Sequence, residues 1–351
     1  MANSASLALL RKEFAARGWY KKATGWALLG LLINLLLALG GIFVFIISSN
    51  LLIRAGAILV STAGSLGVGT NSHTSSHYAT STKRWINELL TYFGFPFFLG
   101  LSATCWWHKH IALHHTAPKV PGVDDDLDLW PWFAMTEEEV KRSGNFLQLY
   151  YRQLQWLVFP IVLMVNCFHM QVNGWLYLIR MLRDSRKRKI FHWIDLGSLL
   201  LHFVTTLVIP LCYFQSAHVF TFYLLRFGLM GYAMFAVLAP GHFPVEAACV
   251  NKDQRTSDYL LLQTAATVNF RTGFIGRLIC SGLENQIEHH LFPNVTHVYY
   301  PKMRTAVETF CKEHGLPYRS FRWKNAIWKS FMALRKPQRI ESELEALRLR
   351  N

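Results

Sequence analysis

Residues Gly25–Ser48 are 24 consecutive positions without a charge. As a helix they extend about 36 Å, more than the roughly 30 Å hydrocarbon core of a bilayer. Lipid offers no partner to backbone N–H and C=O groups, so such a run must satisfy its polar groups internally. That requirement confines the chain to a helical, membrane-embedded fold. Ser48, Ser49 and Asn50 make a tight turn, and Leu51–Val68 is expected to return, with Arg54 near its outer end reaching back to the surface. Ala55, Gly56, Ala57, Ala63, Gly64 and Ser65 suit close packing between the two helices. Composition agrees, with 52% hydrophobic residues and only 16% charged, against roughly 25% charged in soluble chains.

Four further apolar runs follow, at Leu89–Trp107, Leu154–Ile179, Leu196–Phe214 and Val219–Pro240. Positive charge marks the cytoplasmic side, and here it sorts the runs. Lys83, Arg84, Lys109 and Lys119 flank the first at both ends, and Gly94, Pro96 and Gly100 interrupt it, so it is expected to dip in and return. Leu154–Ile179 is broken by Asn166, His169, Gln171, Asn173 and Gly174 and precedes the basic segment Arg180–Lys189, so it is placed in the membrane plane. The last two runs form a second hairpin turning at Gln215–Ser216. Arg226 within it needs a partner, because an isolated intramembrane cation is unfavourable.

The expected architecture is an all-α polytopic membrane protein, with four transmembrane helices in two hairpins and a cytoplasmic histidine-rich cap. The divisions are a basic amphipathic segment at 1–24, the first hairpin at 25–69, a region with two in-plane or re-entrant segments at 70–195, the second hairpin at 196–240 and a basic region at 241–351. Both termini are then cytoplasmic. Leu7, Leu10 and Phe14 put the N-terminal helix on the membrane surface; Trp323, Ile327, Phe331 and Leu334 give a second surface helix. A formal charge of +15 would point to nucleic acid in a soluble protein. Here it reports loops facing anionic lipid, and no nucleic-acid partner is expected. Six scattered cysteines without a CxxC pair read as packing residues.

Fifteen histidines do not fit a bland membrane protein. They include His73-Thr-Ser-Ser-His77, His110-Ile-Ala-Leu-His114-His115 and Gln286-Ile-Glu-His289-His290. Spacings of three and four put ligand-type side chains on one helix face. Neutral imidazole suits iron, zinc, copper or nickel. Seven histidines and a glutamine exceed the needs of one ion, so two metals are implied, and a structural zinc would usually recruit cysteine. Topology brings His242, directly after the fourth span, to the same face as a further ligand. His108 falls on another face, as an interfacial group. His169, His192, His202, His218, His297 and His314 read as structural, with His297 the one best placed to support a ligand. The acidic run Asp124, Asp125, Asp126 and Asp128 is read equally well as a solvated loop or as support for the metals.

Three boxes in this order, split by membrane runs, resemble the membrane fatty acid desaturases. Ser281-Gly-Leu-Glu-Asn-Gln-Ile-Glu-His-His-Leu-Phe-Pro293 is similar to the third box of front-end and related acyl-lipid desaturases, in which glutamine replaces the first histidine. Trp106–Pro118 resembles the second box, and Gln263–Asn269 the segment before the third. The first box departs, with Thr74 where the family often has an acid. The resemblance, from about Thr70 to Pro301, implies a non-haem di-iron centre, with zinc as a non-native occupant. It implies an acyl-chain lipid substrate, dioxygen and electrons. Many front-end members carry a fused haem domain; here the donor is expected to be a separate ferredoxin or cytochrome b-type protein. The expected activity is insertion of a double bond, which demands an oxidant stronger than any side chain. A lipid hydroxylase or acetylenase would use the same metals. A membrane haem electron-transfer protein would carry single histidines inside paired spans, and a metal transporter would carry carboxylates within them. A bacterial inner membrane is favoured over the endoplasmic reticulum.

Overall fold

The computed structural model describes residues 2–254 and 258–341, so the end of the basic C-terminal region, 342–351, lies outside the described residues. The chain opens with α1 (Ala2–Ala16). The apolar face that periodicity alone assigns to a membrane surface is buried in protein: Leu7, Leu10 and Phe14 join a core with Leu291 and Phe292. The Phe14 ring lies 5.2 Å from that of Phe292. An amphipathic pattern is the same whether the apolar stripe meets lipid or a folded neighbour.

Helices α2 (Thr24–Ile47) and α3 (Leu51–Ser76) form the first hairpin. Asn50 starts α3 by accepting from the N–H of Leu52 at 2.9 Å and of Ile53 at 3.2 Å, satisfying two groups that have no intrahelical partner. Small residues let the backbones touch. A Cβ on Gly41 would sit 2.6 Å from the Ala57 carbonyl, and one on Gly64 would meet the backbone of Ala38 and Asn34. Helix α3 does not stop at the expected hairpin boundary but runs on to Ser76, so the first histidine pair rides on its last turn.

The run after Arg84 is broken as expected. α4 (Arg84–Tyr92) widens into a π-helical stretch, Phe93–Leu99, before α5 (Ala103–Trp106) leads into a second, Trp107–His114. The two arms are bent by 114°. Gly100 makes the break at φ +69°, and a Cβ there would lie 2.7 Å from the Gln171 amide and 2.9 Å from the His202 ring. The Asp195 carboxylate stabilises the new helix start, accepting from the N–H of Ala103 at 3.1 Å and Thr104 at 2.8 Å and from the Ser102 hydroxyl at 2.7 Å. Gly100→Ala is therefore expected to lower stability by about 1–3 kcal/mol. The purified protein should melt at lower temperature, and an unchanged melting point would refute the strain.

After the short helices α6 (Glu137–Lys141) and α7 (Asn145–Leu149) come α8 (Gln155–Arg183), then α9 (Ile190–Phe203), a π-helical stretch at Val204–Val208 and α10 (Ile209–Tyr213), then α11 (Ser216–Leu238). Among the described residues five helices are long and apolar enough to cross a membrane, one more than the four expected, because Asn145–Arg183 also qualifies. Arg226 finds partners without a carboxylate. It is buried, its Nη2 donates to Ser65 Oγ at 2.6 Å, and its guanidinium lies 5.6 and 5.1 Å from the ring centroids of Phe98 and Phe227.

The cap contains α12 (Tyr259–Ala265), α13 (Phe274–Cys280), α14 (Gln286–Leu291), α15 (Tyr300–Glu313) and α16 (Trp323–Met332). The chain is mostly helical rather than all-α. Strand β1 (Cys249–Val250) pairs in parallel with β4 (Ile340–Glu341), and β2 (Asn269–Arg271) with β3 (Ser320–Arg322). Strands of two or three residues carry no period to read, and they exist because the cap brings distant backbone together.

Candidate metal centre

Eight histidines converge from four elements. The ligand-type atoms of His73, His77, His110, His115 and His289 form one group, and those of His114, His242 and His290 a second; within each they lie within 4.8 Å of one another. Helix α3 delivers His73 and His77, four apart on its last turn. In the second box the π-helical register matters, since His115 N–H bonds to the His110 carbonyl, five residues back. This wider turn aims His110 and His115 into the first group and His114 into the second. Helix α14 divides its pair the same way, with His289 to the first and His290 to the second. His242 arrives from the turn that follows α11.

The rings present Nε2 inward. His73 Nε2 is 2.8 Å from His110 Nε2, His110 Nε2 is 3.2 Å from His115 Nε2, and His115 Nε2 is 3.0 Å from His289 Nε2. The Nε2 atoms of His77 and His290 are buried and have no hydrogen-bond partner among the described residues. Orphaned, converging lone pairs suit a cation. Ring centroids of His115 and His290 are 4.4 Å apart, and those of His110 and His114 are 5.1 Å apart, so the two groups adjoin.

What holds the rings lies behind them, at Nδ1. His110 donates to Asp126 Oδ2 at 2.8 Å and His114 to Asp124 Oδ2 at 2.9 Å. His290 donates to Gln263 Oε1 at 2.8 Å, His242 to the Ala266 carbonyl at 3.2 Å and His289 to the Tyr300 hydroxyl at 3.3 Å. Gln263 also donates to the His115 carbonyl at 3.1 Å. A proton kept on Nδ1 leaves the Nε2 lone pair free, which fixes the tautomer a metal requires. Burial, reinforced by neighbouring histidines, pushes His115, His289 and His290 well below the usual imidazole range, and His77 down to about 3. For these four rings the neutral, ligating form is the stable one.

The acidic run therefore divides. Asp124 and Asp126 hold two rings, while Asp125 and Asp128 are exposed. Tyr300 and the direct role of Gln263 were not legible from spacing, because both reach the rings across the tertiary fold. Gln286 is buried with its side chain against Gly241, one residue before His242. His108 stays outside and stacks on Tyr177 at 5.6 Å. His297, with its Nδ1 3.0 Å from Thr74 Oγ1, supports the first box at the position where that box departs from the family pattern. His202 bonds to the Phe97 carbonyl and His169 to the Asn173 amide.

A family model described as fatty acid desaturase matches residues 49–322. The chain is 28% identical to a Delta(8)-fatty-acid desaturase of Euglena gracilis, across 89% of this chain and 73% of that protein. It is 25% identical to an sn-1 linoleoyl-lipid 6-desaturase of a Synechocystis strain, across 74% of this chain and 76% of the relative. It is also 25% identical to a Delta(5) fatty acid desaturase of Caenorhabditis elegans, across 78% of this chain and 61% of the relative.

Proposed function

The chain belongs to the fatty acid desaturase family and is an oxidoreductase of that kind; from this premise we propose that it inserts a double bond into an acyl chain at a di-iron centre, using dioxygen and two electrons. The observation that carries the reading is the convergence of eight imidazoles, seven buried and His115 half-buried, in two adjoining groups, with Nδ1 of five of them held from behind. His73, His77, His110, His115 and His289 would hold one ion. His114, His242 and His290 would hold the other, with Gln286, packed beside His242, as an added oxygen ligand or the holder of a water. When bound, the metals supply the oxidising power to remove hydrogen from an unactivated methylene. The protein's own residues fix the ligand tautomers, keep His77, His115, His289 and His290 neutral and exclude bulk water by burial. The printed names of the relatives, Delta(8), 6- and Delta(5), support a double bond placed towards the carboxyl end. Cells expressing the chain should gain such a fatty acid in their lipid profile; no new unsaturated species would overturn the reading.

Four crossings with both termini cytoplasmic are part of this proposal. Both ends of α8 approach elements on the metal side, which supports an in-plane course for this fifth apolar helix. Gln155 bonds to Ala134 and Leu334, and Tyr177 stacks on His108, two residues before His110. Cysteine labelling at Lys119, Lys187 and Lys252 should report cytoplasm, and at Ser49 and Ser216 the opposite face. Lys187 on the outer face would refute this topology.

Asp124→Asn should lower metal affinity by about 10–100-fold with the fold intact, because His114 loses its carboxylate acceptor. Metal retained during dialysis against a graded chelator series measures this, and native-like retention would count against the role.

A further inference from the structure

A cavity of about 580 Å³ lies between α1 and the loop that follows α14. Arg11 and Lys12 line it together with Tyr20, Tyr259, Asn294 and Leu291. The helix that presents the two cations is anchored, because Leu10 and Phe14 are buried beneath it. Among the described residues neither cation forms an ion pair with a carboxylate. Lys22 adds a third positive charge at the rim, its Nζ donating to the Asn294 carbonyl at 2.5 Å. One wall of the cavity is tied to the backbone of the third histidine box. Tyr259 donates its hydroxyl to the carbonyl of His290 at 3.2 Å, and Leu291 is the next residue.

We propose that this cavity binds the phosphate of the acyl carrier. A phosphate brings up to two charges and several acceptor oxygens, which suit a guanidinium fork and an ammonium with the Tyr20 phenol beside them. A concavity of this size encloses a headgroup, whereas a docking protein needs a broader face. The assignment deepens the desaturase reading and rests on it. It places the polar end of the substrate within one residue of a metal-facing histidine. Two sources carry this chemistry, a nucleotide-bearing thioester such as coenzyme A and the headgroup of a phospholipid.

The test is calorimetric titration of the full chain in phosphate-free detergent. The probes are coenzyme A, dihexanoyl phosphatidylglycerol and phosphate-free dihexanoylglycerol. The native chain should bind one of the phosphate-bearing probes and not dihexanoylglycerol. R11Q/K12Q should weaken that binding by about a hundredfold, two charge-assisted contacts being lost, with unchanged metal content and melting temperature. K187Q/R188Q, remote from the cavity, should bind as the native chain does. Binding of coenzyme A assigns the thioester source, and binding of phosphatidylglycerol alone the phospholipid. Failure of both phosphate probes, or native-like affinity in R11Q/K12Q, would overturn the proposal. Titration needs no turnover, so a chain that binds the probe but forms no double bond would defeat the desaturase reading instead.

Discussion

Cells expressing the His115→Ala variant are expected to form none of the unsaturated product that the native chain makes, at equal protein level in the membrane. His115 is the ring that joins the two groups. Its Nε2 lies 3.2 Å from that of His110 and 3.0 Å from that of His289, while its ring stacks on His290 at 4.4 Å. Alanine removes a neutral ligand that no neighbour can replace, and residues acting as a unit lose function together. His169→Ala is the control, since that ring is exposed and bonds to the Asn173 side chain. It should keep substantial activity. His202→Ala removes a buried bond to the Phe97 carbonyl and should lower the melting temperature without changing metal content. Equal loss of product in the His115 and His169 variants would mean general destabilisation, and the ligand assignments would fall.

Stripping the metal should have the second largest effect. Native protein purified from iron-replete cells should hold about two ions per chain, with zinc replacing iron in starved cells because zinc stands higher in the affinity series. Chelation should abolish activity and lower the melting temperature. Without a cation, the buried Nε2 atoms of His77 and His290 have no partner among the described residues, and a buried unsatisfied polar group costs about 1–3 kcal/mol. Metal binding to a folded site is also stabilisation of that fold. Elemental analysis beside a thermal melt measures both. One ion or fewer in intact, folded protein would overturn the two-metal reading, and an unchanged melt after chelation would separate the metals from the stability of the cap.

The residues of the three boxes were legible because ligand spacing is local. Three or four residues make one helical turn, whatever the turn packs against. The division of those residues between two groups was not. An α-helical register predicts one face for His110 and His114, whereas the π-helical stretch sends them to different groups. Its i→i+5 bonding depends on the context around Trp107–His114, which spacing does not report. Asp124 and Asp126 could be seen as a cluster but not sorted from Asp125 and Asp128, since alternation in a loop has no fixed direction. Tyr300 gave no signal of its own, and Gln263 only its place in the segment that resembles the one before the third box. Ten or more residues of chain separate each from the ring it supports.

The sequence alone determined that this chain is a membrane-embedded helical protein with histidines clustered in a pattern that could hold metal. An uncharged run of 24 residues and ligand pairs a turn apart each fix local geometry whatever the rest of the chain does. Only the tertiary structure decided the seat of α1, the partner of Arg226 and the acceptors behind each imidazole. An amphipathic stripe fits lipid and protein equally well, and Phe292 is what covers Phe14. An intramembrane cation demands some partner without naming it, and Ser65 with two aromatic rings supplies it here. Hydrogen bonds from Nδ1 depend on which distant backbone the packing brings within 3 Å or so. Burial and hydrogen bonding across the chain are collective properties, and no window of sequence contains them.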